Sequence, residues 1–568
     1  MFLEVLLDAR AQAGDDATRG AIDQALRTTL DRLACGGVRD QIGGGFHRYA
    51  VDAQWTVPHF EKMLYDNAML AVVYARAARV FDDDEYRRVV RETLEFVLRE
   101  LTDPLGGFYS AIDAEVNGRE GRNYLWTSSE LAQVLDPGDA DFAARVFGAD
   151  QGPNFRDGHH PDDPPSCVLR LDARPETIAE RMGMKRDDLL MRLAKVNRQL
   201  YAARMRREQP RKDDKVLSEW NGLMVAGMVS GAALFADQRY LAAAQRAAGF
   251  VLERMTAPDG TLARSWRRGA AATPGVLEDY ALVIHGLLAL HKVRRLAGHA
   301  GPGSPFLQSA IRLYETSVRL FRGEDMGYYD TRADQADLFL RSRSTYDGAA
   351  PCGASVMLHN LIDLSEATGE PSYLDRAVSL LRTLSASVKR DPLSSINTTR
   401  GLLRLLRTER SKRDVETFAA PRAGVEPESS TGDTTPVEIY ASVERLDLAS
   451  GAPAEMELAI RIAPGYHITA ADPGPGGGGL VPLRVHLVHG QGVAVYADYP
   501  PGELMGAGGS EFFGHRGELR VRVATELAGP VSGTPLLAVT FQACTETECL
   551  RPTTVELDVP IDIGRAQA

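Results

Sequence analysis

Five cysteines in 568 residues, with only one close pair, exclude a disulfide-built scaffold. Positive charge is in deficit. Lys and Arg number 65 against 77 Asp and Glu, a net charge of -12, which argues against nucleic acid as a partner. No run of eighteen apolar residues occurs, so no transmembrane helix and no membrane partner is expected. The opening "MFLEVLLDARAQAGDD" lacks a basic n-region and a small-residue cleavage site, and reads as an amphipathic helix, not a signal peptide. No metal motif is present. His159 and His160 in "DGHHPDD" are adjacent on a loop, where two side chains rarely reach one ion together. No metal and no cofactor is therefore expected.

What the chain has is 44% hydrophobic and 25% charged residues, an ordinary globular balance with ample length for large cores. Its texture changes once. Residues 1–410 are rich in Ala, Leu and Arg with helical periodicity, as in "YLAAAQRAAGFVLERM" and "LEDYALVIHGLLALHKVRRL". Residues 436–562 carry short alternating runs such as "AEMELAIRIA", "ELRVRVATEL" and "TTVELDVPI". Their spacing predicts a sandwich of about seven to nine strands. Residues 411–435 hold Pro, Gly, Ser and Thr without period and read as a linker.

The helical region repeats weakly. "GGGFHR" (43–48), "LGGFYSAID" (105–113), "DGTLARSW" (259–266) and "MGYYDT" (326–331) are each a glycine turn running into a short aromatic segment between helices. The gap from 113 to 259 has room for a further unit and an insertion. Helical hairpins of this length cannot bury their apolar faces alone and must pack side by side. Turns that differ from unit to unit favour a closed ring, an (α/α)6 toroid lined by inner helices, over an open solenoid. The expected architecture is mainly α: that toroid, followed by a β-sandwich.

The stretch from Gly43 to Leu70 concentrates polar chemistry: His47, Arg48, Asp52, Trp55, His59, Glu61, Lys62, Tyr65, Asp66 and Asn67. With a helix starting after Pro58, His59, Lys62 and Asp66 form one stripe and Glu61 and Tyr65 the next. Polar groups mixed with aromatics are what a ligand cavity needs.

Here the residues resemble a known family. "GGVRDQIGGGFHRYAVDAQWTVPHFEKMLYDNAMLA" is similar to the signature of proteins with a thioredoxin-like domain followed by a six-hairpin toroid, the family of the mammalian spermatogenesis-associated thioredoxin-like protein. "DAEVNGREGRNYLWTSSEL", "RKDDKVLSEWNGLM", "LEDYA" and "DGAAPCGAS" follow in the family's order. Cys352 stands where that family has serine, and Ala354 where it has asparagine. The resemblance implies that the chain begins where the thioredoxin-like domain would end. The family's toroid resembles N-acylglucosamine epimerases and six-hairpin glycosidases. Separately, "APGYHITAADPGPGGGGLVPLRV" and "FQACTETECLRP" are similar to the periplasmic N-terminal domain of thiol:disulfide interchange protein DsbD, an immunoglobulin-like sandwich with a cysteine pair. The Gly-rich "DPGPGGGGL" lacks the Lys-Ser/Thr of a phosphate loop and reads as a strand connection.

Two functions of different class follow. In the first, the toroid binds or processes a carbohydrate-like small molecule. Proton removal and return beside a carbonyl suits histidine, making His47 and His59 candidates. Glycoside hydrolysis needs paired carboxylates, for which Asp66, Asp113 and Asp214 are the catalytic candidates. Arg48, Asp52, Trp55, Glu61, Lys62, Tyr65, Trp126, Trp220, Asn221, Glu278 and Asp347 are the binding candidates. These residues are expected to converge at one end of the ring. His285 and His359, on apolar helices, read as core histidines. In the second, the toroid is a non-catalytic platform that recognises clients in thioredoxin-linked thiol:disulfide exchange. Cys544 and Cys549 are the redox pair, placed at the neck of a hairpin whose loop carries Glu546 and Glu548, with a thioredoxin-like protein as partner. The missing signal fits cytoplasm, whereas a DsbD-like domain fits an oxidising, periplasmic space.

Overall fold

A computed structural model describes residues 1–158, 160–298, 301, 303–335, 341–407, 436–443, 445–448, 453–473, 481–505, 512–545, 549–550, 552–557 and 559–562, without the side chains of 489–491 and 528–534. The expected linker 411–435, most of the Gly-rich connection, His159, Glu546 and Glu548 lie outside these residues. The chain divides into two compact units, Met1–Pro421 and Arg422–Ala568.

The first unit is helical: α1 Phe2–Arg10, α2 Asp16–Cys35, α3 Leu64–Phe81, α4 Asp84–Glu100, α5 Ser128–Val134, α6 Pro137–Phe147, α7 Pro175–Arg181, α8 Arg186–Arg204, α9 Ser218–Phe235, α10 Gln238–Phe250, α11 Leu277–Leu296, α12 Pro305–Phe321, α13 Gly353–Thr368, α14 Pro371–Arg390 and α15 Ile396–Leu406. Six of them form a closed ring. α1 packs on α3, α3 on α9, α9 on α11, α11 on α13, α13 on α15, and α15 back on α1. The outer helices α2, α4, α10, α12 and α14 each pack on the inner helix that precedes them. The sequence explains the layering. α9, α11 and α13 are apolar around most of their circumference and are buried on nearly every face. α4, α12 and α14 carry a one-sided apolar stripe, as helices with one solvated face do. Buried side chains from both layers form one continuous core.

The glycine turns recur as one structural device. After an outer helix the chain makes a single antiparallel bridge: Arg39 with Phe46, Thr102 with Phe108, Thr256 with Leu262, and Arg322 with Tyr328. Gly44, Gly45, Gly106 and Gly260 adopt positive φ in these turns. Gly45 has no room for a Cβ, which would meet the Phe96 ring at 2.3 Å. The span between the second and third turns holds an insertion, α5–α8, as well as α9 and α10. The insertion has its own core around Trp126, Phe142, Cys167 and Leu193.

One expectation is corrected. The helix does not begin after Pro58. Residues 58–59 pair with 49–50, and 62–63 pair with 111–112, so α3 starts only at Leu64. The stripe of His59, Lys62 and Asp66 therefore does not exist.

In the second unit the strands Val437–Ala441, Ala454–Ile462, Glu518–Phe541 and Arg484–Asp498 are neighbours in one antiparallel sheet, with Thr553–Glu556 also paired to Glu518–Phe541. A second antiparallel sheet orders Glu503–Met505, Phe512–His515, His467–Thr469 and Ala543–Cys544. Alternation in "AEMELAIRI" sends Met456, Leu458, Ile460 and Ile462 into a core shared with Ile468, Val521, Val539 and Phe541.

Candidate active site at the acid end of the ring

The first turns of three inner helices align as "LYDN" (64–67), "SEWN" (218–221) and "LEDY" (277–280). Each contributes acid groups to the same end of the ring: Asp66 from α3, Glu219 from α9, and Glu278 and Asp279 from α11. Two arginines come from outside the inner helices. Arg48 donates from Nε to the Tyr65 hydroxyl at 3.2 Å and meets Glu61 at 3.3 Å. Arg264, on the strand Ala263–Arg267, reaches Glu219 and Asp279, both at 3.3 Å. Tyr65 and Trp220 meet edge to face, with ring centroids 4.9 Å apart.

Burial sets the electrostatics. Asp66 is half-buried, and its Oδ2 is enclosed without a hydrogen-bond partner. Burial raises its pKa to about 8; Arg48 opposes this and Glu61 adds to it. Burial also raises Glu219, against the pull of Arg264, and Glu278, which Asp330 and Glu219 push further. Asp279 is pushed up to about 8 by burial and then by Glu219. It also accepts the Val276 N–H at 2.9 Å and the Glu219 N–H at 3.3 Å, so it ties α9 to α11. At neutral pH this end of the ring thus offers a proton-bearing carboxyl beside further acid groups, with an aromatic pair alongside. Such perturbed carboxyl clusters are what proton-transfer sites are built from.

The predicted residues divide. Arg48, Glu61, Tyr65, Asp66, Trp220 and Glu278 stand at this end. His59 joins through Glu61, with Nε2 at 3.5 Å, and its Nδ1 is 2.7 Å from Glu120. Asp113 is exposed and shares a polar depression of about 840 Å³ with Glu61, Arg211 and Arg267. Asp214 is tied to Arg267 at 2.5 Å.

The others do structural work. His47 is buried, donates from Nδ1 to the Phe60 carbonyl at 2.9 Å, and packs on Tyr124. Burial and then Lys62 hold its pKa at about 3, so it stays neutral and enclosed. Lys62 is 1% exposed and pairs with Asp40 at 2.7 Å, where Arg204 also arrives at 2.8 Å. It cannot hold a ligand while neutralising that buried carboxylate. Asp52 caps its own turn, accepting the N–H groups of Gln54 at 2.8 Å and Thr56 at 3.0 Å. Trp55 sits in that turn at φ 59°. Trp126 lies in the core of the insertion. Asn221 is fully buried and hydrogen-bonded to backbone. Asp347 accepts from Cys352 N–H, Ser355 Oγ and Asn397 N–H, stitching α13 to α15. Sequence reasoning passed over Glu219, Asp279 and Arg264; the aligned first turns carried the signal for the two acids.

The ring interior is hollow. A cavity is bordered by all six inner helices, through Glu4, Met69, Ala226, His285, His359 and Arg400 among others. His359 is a satisfied histidine, with Nε2 donating to Asn397 O and Nδ1 accepting from Arg404, both at 2.9 Å. His285 is not a core histidine: it is half-buried and borders the cavity. Among the described residues no cluster of three or more metal-ligating side chains occurs, and no helix is long and apolar enough to cross a membrane.

In the second unit Cys544 and Cys549 form a disulfide, with Cα atoms 3.9 Å apart across an antiparallel bridge. Cys544 is buried and Cys549 exposed.

A six-membered ring of inner helices with an acid end, followed by a disulfide-bearing β unit, is the class of protein that fold and site define. Its homologues are spermatogenesis-associated protein 20 of Mus musculus, 36% identical over 397 residues, and of Homo sapiens, 35% identical over 394 residues. Each match covers 64% of this chain and 49% of the relative, so the chain spans about half the length of the curated relatives it matches. Residues 440–560 match the family model of thiol:disulfide interchange protein DsbD, N-terminal. Among solved structures, a family 76 glycoside hydrolase (mannosidase) from Bacteroides thetaiotaomicron is 10% identical with a TM-score of 0.36, covering 66% of this chain and 70% of that one.

Proposed function

We propose that the acid end of the ring binds a carbohydrate-like small molecule and moves a proton on it. The observation that carries this reading is Asp66, a half-buried carboxyl with an unpartnered oxygen and a pKa raised to about 8, beside Glu61 and Arg48 and at the same end of the ring as Glu219 and Glu278. A carboxyl protonated at neutral pH donates to a ligand oxygen, and a neighbouring ionised carboxylate takes a proton in return. Tyr65 and Trp220 supply an aromatic edge for the apolar face of a sugar, and Arg48 a donor for its hydroxyls.

The second unit carries a separate chemistry in this reading. Its two sheets are taken as an immunoglobulin-like sandwich that presents Cys544–Cys549 for exchange with a thioredoxin-like protein. The disulfide itself and the family-model match over 440–560 support this. The reading in which the toroid only recognises clients for that exchange is favoured if the acid end proves inert.

The test is calorimetric titration of the protein with neutral mono- and disaccharides, followed by NMR of the sugar for anomeric or configurational change. Binding is expected, with turnover that Asp66→Asn lowers at least about a hundredfold while leaving affinity within about threefold. Absence of binding, or turnover indifferent to Asp66→Asn, defeats the reading.

A further inference from the structure

The helical repeat dictates what lies below the acid end. Residues seven apart on a helix share a face and are separated by about 10 Å along the axis. On α11 this relation runs from Glu278 through Leu282 to His285, and on α9 from Glu219 through Leu223 to Ala226. On α3, Asp66 is followed one turn on by Met69. All the deeper residues border the ring interior. The acid end and the interior are thus successive levels of the same inner-helix faces.

The two arginines that border the interior are already paired. Glu4 meets Arg400 at 2.7 Å, and Arg404 meets Asp363 at 2.5 Å. His359 has both ring nitrogens bonded. His285 differs: its ring makes no hydrogen bond among the described residues. Burial lowers its pKa, with Asp363 and Glu4 acting the other way, so the ring is neutral near pH 7, with one donor and one acceptor nitrogen. It also borders, with Arg400 and Arg404, a second depression of about 910 Å³ at the C-terminal ends of the inner helices.

We infer that the ring interior is the deep part of the ligand site, that it takes a neutral, hydroxyl-bearing molecule with an apolar face, and that His285 anchors its buried hydroxyl. This rests on the reading of the acid end as a carbohydrate site. The neutrality of the ligand follows from the pairing. The two interior arginines are already bound to carboxylates and so are not free to take an anion, and an ammonium group would face Arg400 and Arg404. A hydroxyl, both donor and acceptor, matches a neutral imidazole. Met69, Leu223, Ala226 and Leu282 give the wall an apolar surface for a C–H face.

The experiment measures diethylpyrocarbonate modification of His285 by peptide mass spectrometry, in the intact protein. The probes are the methyl glycosides of glucose, galactose, mannose and N-acetylglucosamine, with glucuronate and glucosamine as charged controls, and binding is followed by calorimetry. A neutral glycoside that slows modification of His285 about tenfold, and whose affinity falls about tenfold in His285→Gln, is the expected result. The protection measurement needs no variant, so a misfolded His285→Gln does not remove the test. A glycoside that binds and depends on Asp66, yet leaves His285 reactivity unchanged, overturns the deep site and leaves the acid end standing. Tighter binding of a charged control overturns the neutral class. If none of the glycosides binds, both readings fall.

Discussion

Asn67 on α3 and Asn221 on α9 make the same set of hydrogen bonds in two different hairpins. Asn67 Oδ1 accepts the Phe46 N–H at 2.7 Å, and its Nδ2 donates to the Phe46 and Met63 carbonyls at 3.1 and 2.8 Å. Asn221 repeats this on Phe108 and Leu217, with 2.8, 3.0 and 2.9 Å. Each asparagine pins the aromatic end of a glycine turn to the first turn of an inner helix. In α11 the same position is Tyr280, whose hydroxyl accepts the Leu262 N–H at 2.7 Å.

Asn221→Ala is therefore expected to cost about 3 kcal/mol, because it leaves the buried N–H and C=O of Phe108 without partners. Urea unfolding followed by far-ultraviolet circular dichroism measures it. A cost below about 0.5 kcal/mol would show that the pin is dispensable.

Asp66 gives a pH signature. Its folded pKa, about 8, lies above the ordinary value of 3.8. The folded state then holds a proton that the unfolded chain releases, so this group lowers stability progressively as pH rises from about 4 towards 8. Asp66→Asn is expected to match the parent at pH 3.5 and to be more stable at pH 8.5 by about 1–2 kcal/mol, a figure reduced for the partial exposure of the site. Unfolding midpoints across a pH series decide it; equal stability at both ends removes the assignment.

The repeats were legible because glycine turns and aromatic residues recur in the sequence, and the change to alternating runs marked the second unit. Which polar residues face a ligand was not legible. Lys62 is held by Asp40, which is also bound by Arg204, a residue 142 positions from Lys62 on the insertion. Arg264, which holds Glu219 and Asp279, comes from a hairpin after α10. The start of α3 at Leu64 is set by pairing with residues 111–112, a tertiary contact that local helical spacing does not carry.

The ring closes on charge. Glu4 on α1 meets Arg400 of α15 at 2.7 Å and Arg76 of α3 at 3.5 Å, and Asp8 repeats both pairings. Burial alone would raise the Glu4 carboxyl, but Arg400, the N-terminal ammonium and Arg76 bring it down to about 2. Being depressed, it contributes stability above its unfolded pKa of about 4.5, and that contribution is lost as pH falls towards 2. Arg400→Met strands buried carboxylates and is expected to cost about 3–5 kcal/mol at pH 7, less at pH 3. Adding Glu4→Gln recovers part of it. A pH-independent cost would mean that Arg400 acts by packing alone.

Cys549 is the exposed partner of the disulfide and Cys544 the buried one, so an external thiolate can reach only the Cys549 sulfur. Attack there forms a mixed disulfide at Cys549 and releases Cys544 as thiolate. A second thiol of the donor then displaces Cys549, so two electrons and two protons pass to this chain while the donor dithiol becomes a disulfide. A ring closed over five positions contributes only about 2 kcal/mol through chain entropy, so the bond is a weak staple. Reduction should leave both units folded. Titration after unfolding should then show five thiols in protein treated with reduced thioredoxin against three in the untreated protein, because Cys35, Cys167 and Cys352 are free in both. A thioredoxin lacking its resolving cysteine should be trapped on Cys549 in the wild type and should fail to attach to Cys549→Ser at equal concentration. Trapping on Cys544 instead, or a disulfide that resists thioredoxin while the protein is folded, would make the pair structural.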